Sequence, residues 1–173
     1  LSRRQRQMCI RDSFGNAPRA HHQQLHAIGV ITQSEMSGLK MTVNYYRNGT
    51  RNNEPNYKQG EDIVAEITIQ NTGNIGLYEE LALTFMFPSG FEFLNERLTT
   101  GVNPFQGTDN VDIRDDRAYL YFSLTQGQSK TFKLRFNAAY SGTYLLPAIT
   151  CSAMYDNSIT ATLPGNTITI NRE

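Results

Sequence analysis

From Gly38 onward the chain alternates apolar and polar residues with a period of two. Leu39, Met41, Val43 and Tyr45 interleave with Lys40, Thr42, Asn44 and Tyr46, the pattern of a strand with one face on a core. Ile63, Ala65, Ile67 and Ile69 interleave with Val64, Glu66, Thr68 and Gln70, the clearest strand by sequence. Leu81, Leu83, Phe85 and Phe87 fall on one side of a third, and Phe91 and Phe93 resume beyond Pro88-Ser89-Gly90. Tyr119, Tyr121 and Ser123 alternate with Leu120, Phe122 and Leu124, so both faces of that strand are expected to be largely covered. Phe132, Leu134 and Phe136 oppose Lys133, Arg135 and Asn137, and Ile168 and Ile170 face inward on a closing strand over 167 to 170.

Between these runs stand turn residues. Arg47-Asn48-Gly49-Thr50 predicts a tight reversal, because Asn-Gly tolerates positive φ. Asn71-Thr72-Gly73-Asn74, Gln126-Gly127-Gln128-Ser129, Tyr140-Ser141-Gly142-Thr143 and Leu163-Pro164-Gly165-Asn166 punctuate the rest. Residues 98 to 110 read as a long loop with Phe105 as an anchor. Residues 140 to 156 read as one extended strand running through Pro147 into a loop that ends on Met154-Tyr155-Asp156. About eight short strands with no helix-period segment predict an all-β antiparallel sandwich of immunoglobulin or fibronectin-III type.

Composition narrows the function classes. The 173 residues carry 16 Lys+Arg against 16 Asp+Glu, so no net charge argues for nucleic acid or an anionic membrane. No apolar run reaches the roughly 20 residues that span a bilayer, so direct membrane insertion by this segment is not expected. No Gly-rich phosphate loop, His-Glu-x-x-His, Cys-x-x-Cys or nucleophile elbow is present, and neither catalysis nor a cofactor is expected. His21, His22 and His26 form a polar histidine cluster without a Cys or carboxylate at ligand spacing, and are read as solvated loop. Asp112, Arg114, Asp115, Asp116 and Arg117 are read as charges capping and pairing across a turn, since a calcium site needs six or more oxygens. Asn48-Gly49-Thr50 fits the glycosylation acceptor pattern, but its turn role accounts for it. Cys151 lies within an apolar strand and is read as a small buried hydrophobe.

The N-terminal stretch departs from all this. Residues 6 to 13, Arg-Gln-Met-Cys-Ile-Arg-Asp-Ser, equal the translation of a transposase end sequence used in library preparation, AGA CAG ATG TGT ATA AGA GAC AGC. Residues 1 to 13 are therefore expected to be adapter-derived.

Three patches in order carry a resemblance: Leu81-Ala82-Leu83-Thr84-Phe85-Met86-Phe87-Pro88-Ser89-Gly90-Phe91-Glu92; Ile113-Arg114-Asp115-Asp116-Arg117-Ala118-Tyr119-Leu120-Tyr121-Phe122; and Tyr140 to Asp156. Together they resemble the C-terminal macroglobulin-like domain, the MG10 type, of bacterial alpha-2-macroglobulins, over residues 38 to 173. The resemblance implies a non-catalytic terminal domain of a broad-range peptidase inhibitor of the periplasm or cell envelope. It implies that Leu25 to Ile31 closes a preceding macroglobulin-like domain and that Thr32 to Ser37 is a linker. It further implies that Met154 and Tyr155 shield the reactive thioester of another domain. The partners would then be the thioester and neighbouring macroglobulin-like domains of one parent chain, with target proteases met indirectly. Arg114, Asp115, Asp116 and Arg117 would be a family-motif turn of structural purpose. The family's Cys-x-Glu-Gln thioester motif is absent from this chain. The rival reading is a cell-surface adhesion or carbohydrate-binding sandwich using Tyr45, Tyr46, Tyr119 or Tyr121, which requires a row of aromatics on one exposed face.

Overall fold

Alternation along the strands places every second side chain in one core, and two sheets close over it. The computed structural model describes residues 31, 33–94 and 105–172. The expected closing strand at Leu25 to Ile31, the histidine cluster and the adapter-like stretch lie outside the described residues, apart from Ile31 itself. The strands are β1 (Glu35–Ser37), β2 (Leu39–Arg47), β3 (Thr50–Arg51), β4 (Asn56–Lys58), β5 (Asp62–Asn71), β6 (Tyr78–Met86), β7 (Phe91–Phe93), β8 (Asn110–Ile113), β9 (Arg117–Leu124), β10 (Ser129–Ala138), β11 (Gly142–Leu146), β12 (Ile149–Ala153), β13 (Thr160–Leu163) and β14 (Asn166–Asn171). One sheet runs β1-β13-β12-β6-β9-β8, the second β3-β2-β5-β10-β7, and a small third β11-β14-β4.

The inward faces are those the alternation marks. Ile63, Ala65, Ile67 and Ile69 of β5 and Phe132, Leu134, Phe136 and Ala138 of β10 are buried beneath Leu81, Leu83 and Phe85 of β6 and Ala118, Leu120, Phe122 and Leu124 of β9. Phe136 sits at the hub of an aromatic cluster, with ring centroids 5.7 Å from Phe85, 5.2 Å from Phe87, 5.8 Å from Phe91 and 5.7 Å from Phe93. Edge-on and offset contacts of this kind stabilise beyond area burial alone. Phe105 is buried; residues 98–104 of the loop expected before β8 lie outside the described residues. The Asn48-Gly49 reversal forms with both residues at positive φ, 48° and 79°, the backbone that a two-residue hairpin turn demands.

Residues 140 to 156 differ from the single strand expected of them. The stretch breaks at Pro147-Ala148: β11 belongs to the small sheet, while β12 pairs with β6 and β13 in the six-stranded one. Proline has no N–H to continue a ladder, so the chain changes sheets there. Gly165 passes tightly beside the break, where an added Cβ would stand 2.7 Å from the Leu146 carbonyl oxygen. The segment expected to be linker also contributes structure, since Glu35, Met36 and Ser37 pair with Thr162, Ala161 and Thr160 as an edge strand. β4, β8 and β13 were not marked by alternation. β4 runs parallel to β14 and inserts Tyr57 against Phe91, centroids 5.2 Å apart and edge-on.

Replacing Phe136 by Ala removes the hub and leaves four rings unsupported, at an expected cost of about 3–5 kcal/mol. Urea denaturation followed by circular dichroism checks this; a loss below about 1 kcal/mol would mean the cluster is not packed as described.

Candidate functional site

Strand order and register decide which expected site residues meet. β12 runs antiparallel to β6 with Ala153 opposite Leu81 and Thr150 opposite Thr84. The chain therefore leaves β12 at the end of the sandwich where β6 begins. Met154 and Tyr155 follow at once, 53% and 87% exposed. The loop they head is built locally. The Met154 N–H donates to the Glu80 carbonyl at 3.0 Å, Ala153 N–H to Ile159 O at 3.1 Å, and Ile159 N–H to Asp156 O at 3.1 Å. Asp156 Oδ1 accepts from the Ser158 N–H at 2.9 Å and its hydroxyl at 2.6 Å. Those two bonds hold the Asp156 carboxyl below the usual carboxylate range, since they favour the charged form. The base of the loop is thus fixed while its two large side chains face outward.

The Arg114-Asp115-Asp116-Arg117 turn lies at the opposite end. Arg117 pairs with Met86 at the far end of β6, and the Phe87 N–H donates to Asp116 O at 2.7 Å. Met86 lies five residue steps along β6 from Leu81, roughly 17 Å at about 3.4 Å per residue. The turn itself thus lies a strand's length from the Met154-Tyr155 loop, while Asp112, the partner of Arg114, lines one hollow with Met154. Within the turn, Arg114 pairs with Asp112 at 2.9 Å and Arg117 with Asp116 at 2.7 Å. The Arg117 guanidinium holds the Asp116 carboxyl below its usual range. Arg117 also donates to the Tyr119 hydroxyl at 3.2 Å, and the Arg114 guanidinium lies 5.4 Å from the Tyr119 ring centroid. These contacts order the turn, and among the described residues no group of three His, Cys, Asp or Glu side chains is placed to hold a metal ion.

The row of tyrosines required of a carbohydrate-binding face is not assembled. Tyr119 and Tyr121 lie on the outer face of the six-stranded sheet opposite Thr84 and Ala82. Tyr46 lies on the outer face of the other sheet, its hydroxyl donating to Glu66 at 3.3 Å. Tyr45 packs against the core, and burial pushes its phenol well above the usual range, with neighbouring Tyr57 adding to the effect.

Alternation did not single out the second loop at the Met154-Tyr155 end. Residues 72 to 77 expose Ile75 at 78% and Leu77 at 49%. The loop is tied down by Asn71, a fully buried polar side chain. Asn71 Nδ2 donates to Gly76 O at 2.9 Å and Leu124 O at 3.0 Å, while its Oδ1 accepts from the Gly73 N–H at 3.0 Å. Gly73 lies on the Tyr78 hydroxyl so closely that an added Cβ would stand 1.6 Å from it. An apolar pair presented by so well-held a loop is a signal that exposure alone reveals.

Two experiments test this site. Asn71→Ala strands two carbonyls and an N–H at the loop base, and is expected to cost about 1–3 kcal/mol in urea denaturation, with faster amide exchange at Ile75 and Leu77. Cys151 is a buried free thiol that desolvation pushes up to about 12. The sign follows: the folded state keeps the thiol proton that the unfolded state releases from about pH 9, so this contribution to stability is present below pH 9 and lost progressively towards 12. In a Cys9→Ser background, iodoacetamide at pH 8 should label Cys151 only after unfolding; rapid labelling of the folded chain would contradict its burial.

Comparison with known proteins adds family context. Residues 38 to 157 match the family model described as Bacterial Alpha-2-macroglobulin MG10 domain. An alpha-2-macroglobulin of Rickettsia conorii is 28% identical over 129 residues, which are 70% of this chain and 7% of that protein. The native Escherichia coli alpha-2-macroglobulin from domain MG7 to its C-terminus superposes with a TM-score of 0.71 at 15% identity, covering 83% of this chain and 25% of that one. Salmonella alpha-2-macroglobulin reacted with methylamine gives 0.68 at 21% identity, covering 80% of this chain and 10% of that one. The chain thus spans a small part of the relatives it matches.

Proposed function

Because the chain belongs to the bacterial alpha-2-macroglobulin MG10 domain family, we propose that it serves as the terminal, non-catalytic domain of a protease-trapping protein and shields that protein's thioester domain with Met154 and Tyr155. One observation carries the reading. Two large side chains stand outward on a loop whose backbone is fixed by hydrogen bonds to Glu80 and Ile159, an arrangement that costs solvation and gives this domain nothing in return. Contact with another surface would repay it.

The chemistry of such a cover is simple. A thioester in water is lost to hydrolysis, and in the intact parent it would be kept for acylating an attacking protease. The Met154 thioether chain and the Tyr155 ring supply flexible and flat apolar surface that excludes water from an acyl bond. The Tyr155 hydroxyl keeps a wet edge for a hydrogen bond. No base or nucleophile of this domain is needed, which agrees with a turn at Arg114 to Arg117 whose charges pair among themselves. The parent is placed in the periplasm or cell envelope on this reading, with neighbouring macroglobulin-like domains as its immediate contacts.

The test is made in the full-length parent. Substituting Met154→Gly and Tyr155→Gly together is expected to speed release of the thioester's thiol at least about tenfold, a barrier change of about 1.4 kcal/mol. Thiol release is read with a chromogenic disulfide in the absence of protease. An unchanged rate overturns the shielding role.

A further inference from the structure

The alternation that buries one face of the five-stranded sheet leaves the other polar, and register lays its outer side chains in rows. Tyr46 of β2 stands opposite Val64 of β5, and Val64 opposite Arg135 of β10. The next row is Asn44, Glu66 and Lys133, and on the other side of Val64 the strand begins at Asp62, opposite Asn137. Apart from Asn44 and Asn137, these residues and the Asn48-Gly49 turn line a hollow of about 500 Å³. Its polar groups are held from within the domain. Glu66 accepts from the Tyr46 hydroxyl at 3.3 Å and pairs with Lys133 at 3.3 Å, and Asp62 accepts from the Asn137 amide at 2.8 Å. Because Glu66 lies one row away from Tyr46, that hydroxyl bond draws the tyrosine diagonally over β5. The ring is accordingly half-buried against the sheet rather than standing free in solvent. In the lining, two carboxylates face one lysine and one arginine; Arg51, opposite Tyr46 on β3, shares the face but not the lining.

We propose that this hollow is a saccharide site, in which a neutral pyranose unit stacks on Tyr46 and hydrogen-bonds to Asp62, Glu66, Lys133 and Arg135. The Tyr46 ring beside Val64 gives an apolar floor for the C–H face of a sugar ring, with a few polar groups around it to fix orientation. A hydroxyl both donates and accepts. A sugar hydroxyl can therefore donate to a carboxylate oxygen while accepting from the neighbouring ammonium or guanidinium, and the hollow sets these side by side. Balanced charge favours neither an anion, which would meet two carboxylates, nor a cation, which would meet Lys133 and Arg135. Glu66 and Asp62 are oriented by Tyr46, Lys133 and Asn137 before a ligand arrives, which lowers the cost of binding. A row of tyrosines is what a long glycan chain requires; one sugar unit needs a single ring. Val64 lies seven residue steps along β5 from Asn71, where the 72–77 loop starts, roughly 24 Å at about 3.4 Å per residue. The site is thus separate from the Met154-Tyr155 loop, and neither reading depends on the other.

Saturation-transfer difference NMR on the full-length parent tests this, with chitotriose, maltotriose and cellotriose as probes. The expected result is that at least one trisaccharide takes up saturation at its ring C–H protons, and that Tyr46→Ala weakens its binding at least about tenfold. Tyr46→Phe keeps the ring and releases Glu66, so it should weaken binding less than Tyr46→Ala does. Lys133→Ala removes a side chain that is 61% exposed, leaves the core untouched and is expected to weaken binding several-fold; it decides the matter if Tyr46→Ala does not fold. Tyr119→Ala, on the other sheet, should change nothing. Because the ligand is neutral, binding should hold between about 50 mM and about 500 mM sodium chloride. Absence of saturation transfer to all three probes overturns the site, as does binding that Tyr46→Ala and Lys133→Ala both leave undiminished or that the higher salt abolishes.

Discussion

The register of β12 against β6 is the constraint on which the functional reading depends. Ala153 opposite Leu81 fixes the rung at which the chain leaves the sheet, and Met154 is held there by donating to Glu80 O. A slip of one residue would turn Cys151 and Ala153 outward and bury their polar neighbours. The register is therefore set by the core: Ile149, Cys151 and Ala153 are all buried, while Thr150 and Ser152 face out. Core packing and loop presentation are thus one problem. The same side chains that close the sandwich aim the loop.

Asn71 performs the matching task on the other sheet. A buried amide is costly unless its bonds are made, and here it meets a carbonyl and an N–H of the 72–77 loop and a carbonyl at the end of β9. Its own backbone N–H donates to Gln128 O and its carbonyl accepts from the Gly127 N–H. The amide therefore joins the end of β5, the loop before β6 and the turn after β9. Loops that carry function are usually free to move. These two are held at their bases by Asn71 and by the Met154 N–H on Glu80 O.

Much of the sandwich was legible because period-two patterns name an inward face wherever one side of a sheet is buried. β2, β5, β6 and β10 were read this way, and their inward residues are buried or packed against the core; β9, expected to be covered on both faces, buries Leu120, Phe122 and Leu124 and leaves Tyr119, Tyr121 and Ser123 half-buried. The strands that escaped are of another kind. β13 is Thr-Ala-Thr-Leu, with too little apolar contrast to alternate, and β4 and β1 are three residues each. Short edge strands of this sort are specified by their neighbours rather than by their own sequence. Pro147 was visible, but the sheet change it produces depends on Gly165 passing beside it, a contact between segments 18 residues apart.

The candidate site divides along the same line. Met154 and Tyr155 were singled out through a family pattern, and the Arg114 to Arg117 turn through its charge density and the same family pattern; only the fold sets them at opposite ends of β6. That separation carries a conclusion that sequence proximity would have obscured. A motif can be the most specific patch in a chain because a turn needs it: Asp116 accepts from Phe87 through its backbone while its carboxylate pairs with Arg117, so both backbone and side chain serve the hairpin. Ile75 follows the Asn71 to Asn74 turn, and Leu77 reads as the start of the next strand, which begins at Tyr78 instead. Their exposure becomes meaningful once β6 and β12 bring that turn to the end where Met154 and Tyr155 stand. Two exposed loops far apart in sequence thus share one end of the sandwich because β6 begins where β12 finishes.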